Sequence, residues 1–100
     1  MPRLILTEGA ALGLERCRAF LAEKSPQAAG RAGQAIAAQF RLLEMTPQMG
    51  RPFEGEPDLR ESVIPFGDAG YVALYHFDRG ADAVLVLVLA VRHQRKAGYP

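Results

Sequence analysis

The sequence holds one cysteine, Cys17, among its 100 residues. A lone cysteine excludes an internal disulfide, and no zinc-type ligand spacing exists. Neither a metal nor a cofactor is therefore expected, and a reducing cytoplasm is the simplest compartment. Long apolar runs are also missing. The longest, Ala83 to Val91, falls far short of the ~20 residues that a membrane helix requires. The opening Met-Pro-Arg-Leu-Ile-Leu-Thr-Glu lacks the apolar stretch of a signal peptide. A soluble, cytoplasmic chain with no membrane partner is the expectation. Charge of one sign is scarce as well. Twelve Lys and Arg stand against eleven Asp and Glu, a formal net charge of +1. Global charge thus gives no argument for a general nucleic-acid binder. There is no internal repeat and no low-complexity segment.

What is present is a hydrophobic content of 49%, enough for one core in one domain spanning residues 1–100. A domain of this size buries only roughly 60–70% of the surface its unfolded chain exposes. Its stability margin is expected to be modest, and a partner that binds the folded form would add to it. Charge is unevenly spread. Acids cluster at Glu54, Glu56, Asp58 and Glu61, whereas Arg92, Arg95 and Lys96 close the chain with no acid among them.

Arg3 to Thr7 reads as a short strand, with Thr7 as the N-cap of a helix and Glu8 in its first turn, where the dipole favours an acid. Ala10, Leu14, Cys17 and Leu21 follow at steps of three and four, one stripe of an amphipathic helix that Gly13 weakens slightly. Ser25-Pro26 marks a stop and a restart, because proline is tolerated at the first helical position. Ala29, Ala32, Ile36, Phe40 and Leu43 form a second stripe that ends before Thr46-Pro47. Two helices so joined make a helical hairpin. Thr46 to Asp58 is rich in Pro, Gly and charge and reads as a loop. Three strands follow: Leu59–Ile64, stopped by Pro65 and the Gly67-Asp68-Ala69-Gly70 turn; Tyr71–Phe77; and, after Asp78-Arg79-Gly80, Ala83–His93. The last is apolar on both faces, which implies cover on both sides. The helices supply one side; a tail, a neighbouring loop or a partner chain must supply the other. The expected fold is α+β, in the order β-α-α-β-β-β, with the hairpin on one face of a mostly antiparallel four-stranded sheet. The position of the first strand in that sheet is left open.

The order and length resemble the RelE/ParE toxin superfamily of type II toxin–antitoxin systems. Pro47-Gln48-Met49-Gly50-Arg51-Pro52 resembles its loop after the second helix. Leu59-Arg60-Glu61-Ser62-Val63 resembles its second strand, Gly70-Tyr71-Val72-Ala73-Leu74-Tyr75 its Tyr-containing third strand, and Leu89-Ala90-Val91-Arg92-His93-Gln94-Arg95 its closing "V-x-H-x-R". Ribosome-dependent ribonucleases of the superfamily place arginines late in strand two and just after the tyrosine of strand three, to stabilise charge on the scissile phosphate. The matching positions here are Pro65 or Phe66, and Val72. Only His93, Arg95 and Tyr99 remain of such a set. In "GRP", "LRE" and "VRHQR" the chain resembles the ParE branch instead. That resemblance implies a growth-arresting, plasmid-stabilisation type of toxin. It would inhibit DNA gyrase, with its DNA, by binding and without a catalytic residue, and a cognate antitoxin would neutralise it in a hetero-oligomer. The alternatives are a RelE-type mRNA endoribonuclease and a non-toxic antitoxin-binding homologue.

The candidate target contacts are Arg60, Arg92, His93 and Arg95. Arg60 also reads as a strand-start arginine paired with Glu61 or Asp58. By parity His93 falls on the side of Leu85, Leu87 and Leu89, where it is either a functional group or a strand-end histidine bonded to backbone. Three cations at the chain's end are too few for tight nucleic-acid binding by themselves. Tyr71, Ala73, Tyr75 and Phe77 share one strand face. The tyrosines and Phe77 are the candidate antitoxin groove, on the sheet side the helices leave uncovered, and equally a core face. Cys17 reads as core. His76, on the Val72/Leu74 face, receives no role.

Overall fold

A computed structural model describes residues 3–67, 69–79 and 84–94. The elements are β1 (Arg3–Leu6), α1 (Glu8–Lys24), α2 (Pro26–Met45), a 3-10 turn over Pro47–Met49, β2 (Arg51–Phe53), β3 (Glu56–Phe66), β4 (Ala69–Arg79) and β5 (Val84–His93). Asp68, Gly80 and Ala83, which the sequence places in turns and at the start of the last strand, lie outside the described residues.

Both helix starts follow from their caps. The Thr7 side chain accepts the Ala10 N–H, and the Ser25 side chain accepts the Ala28 N–H. Ser25 also ends α1, its own N–H reaching the Leu21 carbonyl, so one residue closes a helix and opens the next. The two stripes turn inward as their spacing requires. Ala10, Ala32 and Leu43 are buried, and Leu14, Cys17, Leu21, Ile36 and Phe40 pack around them. Gly13 does more than weaken its helix: a Cβ there would stand 2.3 Å from the Val91 carbonyl oxygen. The glycine is where α1 rests on β5.

The sheet has five strands in the order β1-β5-β4-β3-β2. The expectation of four mostly antiparallel strands is corrected to a mixed sheet of five, and the place left open for the first strand is filled. β1 lies at one edge and runs parallel to β5, with Leu4 opposite Val86. The segment read as loop from Thr46 to Asp58 contains a hairpin, β2 pairing antiparallel with the start of β3 around Glu54-Gly55. Gly55 takes a φ of +85°, which glycine adopts without strain. Pro52 is tolerated because β2 is an edge strand, with no ladder bond to supply on its outer side.

The core lies between the helices and one sheet face. Ile64, Tyr71, Ala73, Tyr75, Val86, Val88 and Val91 form it, together with the buried helix residues. On the opposite face Leu85 is 37% exposed, and Leu87 and Leu89 are half-buried. The apolar last strand is therefore fully covered on the helix side only. No helix among the described residues is long and apolar enough to cross a membrane.

β5 is not a regular strand. Leu74 pairs with Ala90 but Tyr75 pairs with Val88, so Leu89 is an extra residue, a β-bulge. The bulge sits under the first turn of α1. The Thr7 hydroxyl lies 2.8 Å from the Val88 carbonyl oxygen and 3.1 Å from that of Leu89, and the Thr7 N–H donates to Val88 at 3.0 Å. Helix start and bulge thus fix each other. An inserted residue reverses which side every later side chain faces.

Candidate functional site

That reversal moves His93. Parity from Leu85 places it on the uncovered face. Past the bulge, His93 pairs with Tyr71 and its ring meets the Tyr71 ring edge-on, centroids 5.6 Å apart at 85°. It stands on the helix side, at the end of the sheet, with Phe66 beyond Tyr71 at 6.3 Å.

Of the two readings of Tyr71, Tyr75 and Phe77, the core face is the one they take: they face the helices and not the uncovered side. Tyr75 is 0% exposed and Tyr71 4%, while Phe77 is half-buried against the same cluster. The Tyr75 hydroxyl donates to the Pro47 carbonyl at 2.5 Å and accepts the Gly50 N–H at 3.0 Å. Burial pushes the Tyr75 phenol above its usual range, opposed in part by the Gly50 N–H and by Arg60. Burial does the same to Tyr71, with Cys17 adding to it.

Arg60 is a loop clamp. Its Nη1 donates to the Gly50 carbonyl at 2.8 Å and the Gln48 carbonyl at 3.3 Å, and the guanidinium lies 5.6 Å from the Phe77 ring centroid. The pairing expected with Glu61 or Asp58 is replaced by these carbonyls, since Glu61 projects to the other face of β3. There Glu61, 9% exposed, lies between two arginines, 3.4 Å from Arg51 Nε and 3.8 Å from Arg92 Nη2. Arg92 also donates to the His93 and Gln94 carbonyls, each at 3.2 Å. Beside it Val72 is 1% exposed. His76, on this face as its parity requires, has Nδ1 3.0 Å from the Asp58 carbonyl. Arg95, Lys96 and Tyr99 lie outside the described residues.

Concavities open on the helix side among the described residues, and two of them matter here. The first, about 630 Å³, lies between α1 and the end of the sheet. Arg16, Phe20 and Lys24 wall it on the helix side, and Phe66, Tyr71 and His93 on the sheet side. The second, about 460 Å³, runs between the helices, lined by Leu14, Ile36 and Phe40 and by the small residues Ala29, Gly30 and Gly33. Tyr71 and Cys17 border both, so Cys17 is half-buried in a wall, not enclosed in the core. Arg16, Phe20 and Lys24 are functional candidates that the sequence motifs do not single out. A signal was available: Leu12 and Phe20 are large apolar residues off the buried stripe of α1, and they are 52% and 57% exposed.

Among the described residues no group of three His, Cys, Asp or Glu is placed to hold a metal. What the fold presents is a small α+β domain with a helical hairpin, grooves beside it, and strand arginines engaged within the structure. This is the build of a toxin of the RelE/ParE superfamily. Residues 4–98 match the family model of the ParE toxin of type II toxin–antitoxin system, parDE. The chain belongs to that family. A search of curated proteins finds no relative that matches it.

Proposed function

We propose that this toxin arrests growth in the cytoplasm by binding DNA gyrase on its DNA, and that a cognate antitoxin neutralises it within a mixed oligomer. The observation that carries the reading is the use made of Arg60 and Arg92. One clamps the Gly50 loop and the other lies along Glu61, and Val72 is buried where a ribonuclease of the superfamily would set an arginine. Cations held this way are poorly placed to stabilise a phosphorane. A toxin of this build acts by occupying another macromolecule.

Target contact falls to Arg92 and His93 at the end of the sheet, together with Arg95. Arg60 serves indirectly, by shaping the loop between α2 and β2. The antitoxin takes the groove between the helices, where an amphipathic segment finds apolar walls. Tyr71 borders that groove, whereas Tyr75 is fully buried and Phe77 is half-buried against the core, neither lining it.

A supercoiling assay with purified gyrase tests the reading. Micromolar toxin should block supercoiling, and added antitoxin should restore it. Unimpaired supercoiling, with discrete cuts in translated mRNA by primer extension, would overturn it in favour of ribonuclease action.

A further inference from the structure

The groove between α1 and the end of the sheet differs from its neighbour in charge. Among the described residues its lining includes Arg16, Lys24 and His93 and no carboxylate; Arg92 borders it, with its guanidinium turned to Glu61 on the other sheet face. The inter-helix groove, by contrast, carries Glu15 hydrogen-bonded to Arg18. Glu54, Glu56 and Asp58 are exposed at the β2–β3 hairpin, at the opposite end of β3 from Phe66. Arg16 and Lys24 on the helix wall give the groove lining a local excess of positive charge, which favours an anionic ligand.

Aromatic rings stand on both walls. Phe20, 57% exposed, is on the helix wall, with Lys24 Nζ 4.5 Å from its ring centroid. Phe66, Tyr71 and His93 form a ring cluster on the sheet wall. The Lys24 ammonium lies over one face of the Phe20 ring, so a cation and an exposed aromatic surface stand side by side. Stacking surfaces beside cations, with no array of base-edge donors, are the equipment of sequence-tolerant single-strand binding.

We propose that this groove binds a segment of single-stranded nucleic acid, a base stacking on Phe20 and the neighbouring phosphates meeting Arg16 and Lys24. Few cations take part, so the binding is weak and strongly salt-dependent. The inference does not require gyrase to be the target. A chain that binds oligonucleotide but leaves supercoiling intact keeps this inference and loses the previous one.

The test is fluorescence anisotropy of the full chain with labelled dT12 and U12 at 50 mM salt. Saturable binding is expected with a Kd of roughly 1–100 µM, in the range of sequence-independent contacts. Comparison of the two probes tells whether DNA or RNA is preferred. Phe20→Ala should weaken binding roughly five- to tenfold, the loss of one stacked base. Arg16→Gln should lower the salt slope by about 0.7, the loss of one phosphate contact on a single strand. Arg31→Gln, an exposed cation on α2 away from the groove, should leave both unchanged. All three sites are exposed, and matching thermal melts would show the variants folded. The proposal is overturned by absence of saturation at 100 µM protein, by binding that survives both groove substitutions, by equal loss in Arg31→Gln, or by capture of a Glu/Leu-rich peptide where neither oligonucleotide binds.

Discussion

Tyr75 and Gly50 hold each other in place: the phenol oxygen accepts the glycine N–H at 3.0 Å, and a Cβ on residue 50 would stand 2.5 Å from that oxygen. The turn after α2 is thereby fastened to the centre of the sheet. Tyr75→Phe leaves the Gly50 N–H and the Pro47 carbonyl without this partner, a loss of about 1–3 kcal/mol. Gly50→Ala should cost at least as much, because its methyl also meets the Glu61 carbonyl at 2.6 Å and backbone has to move. Urea midpoints of the two variants would check the order.

The same tyrosine sets an alkaline limit. Burial raises the folded-state pKa of Tyr75, and of Tyr71, above the ordinary 10.0. The folded state thus holds the phenolic protons more tightly than the unfolded chain. The contribution to stability is complete below pH 10 and is lost as pH rises from there through the raised values. Unfolding midpoints measured between pH 8 and 11.5 should be flat and then fall, and Tyr75→Phe should flatten part of the fall.

Glycines on the two helices should respond in opposite directions. Gly13→Ala drives a methyl into the Val91 carbonyl and should lower the melting temperature despite the better helix propensity of alanine. Gly30 and Gly33 have nothing within 4 Å of an added Cβ, so alanine at either should stabilise by about 0.5–1 kcal/mol. Both line the groove assigned to the antitoxin. Gly33→Ala should therefore raise the melting temperature and weaken antitoxin binding, a combination that calorimetry and titration would detect together.

Glu61 neutralises two arginines on a largely buried site. Glu61→Gln should destabilise by about 1–3 kcal/mol, less than a fully buried pair would lose because Arg51 is exposed. Adding Arg92→Gln should cost less than the sum of the separate changes, since the two groups share one interaction. Thermal melts of the three variants would measure the coupling.

Much of the architecture was legible in residues near one another along the chain. Thr7 and Ser25-Pro26 placed the helix starts, and the stripes from Ala10 to Leu21 and from Ala29 to Leu43 placed their buried faces. The β2–β3 hairpin was hidden because Pro52 and Pro57 argue against strands; Pro52 is harmless on the edge strand β2, and Pro57 at the start of β3, before its pairing with β4 begins at Leu59. Arg60 was legible as important but not as a clamp. Its partners are carbonyls of a loop ten and twelve residues earlier, and no residue type announces a carbonyl.

The sequence by itself determined the α+β class, the helical hairpin and membership of this toxin family, since periodicity, caps and motif order are local properties that survive without coordinates. Only the tertiary structure decided which face each strand residue occupies. One extra residue at Leu89, held under Thr7, turns His93 from the open side toward Tyr71. Alternation along a strand is a local rule, but a bulge is set by what packs against it. The groove where Phe20, Lys24 and His93 meet exists only because a helix and a strand distant in sequence lie side by side.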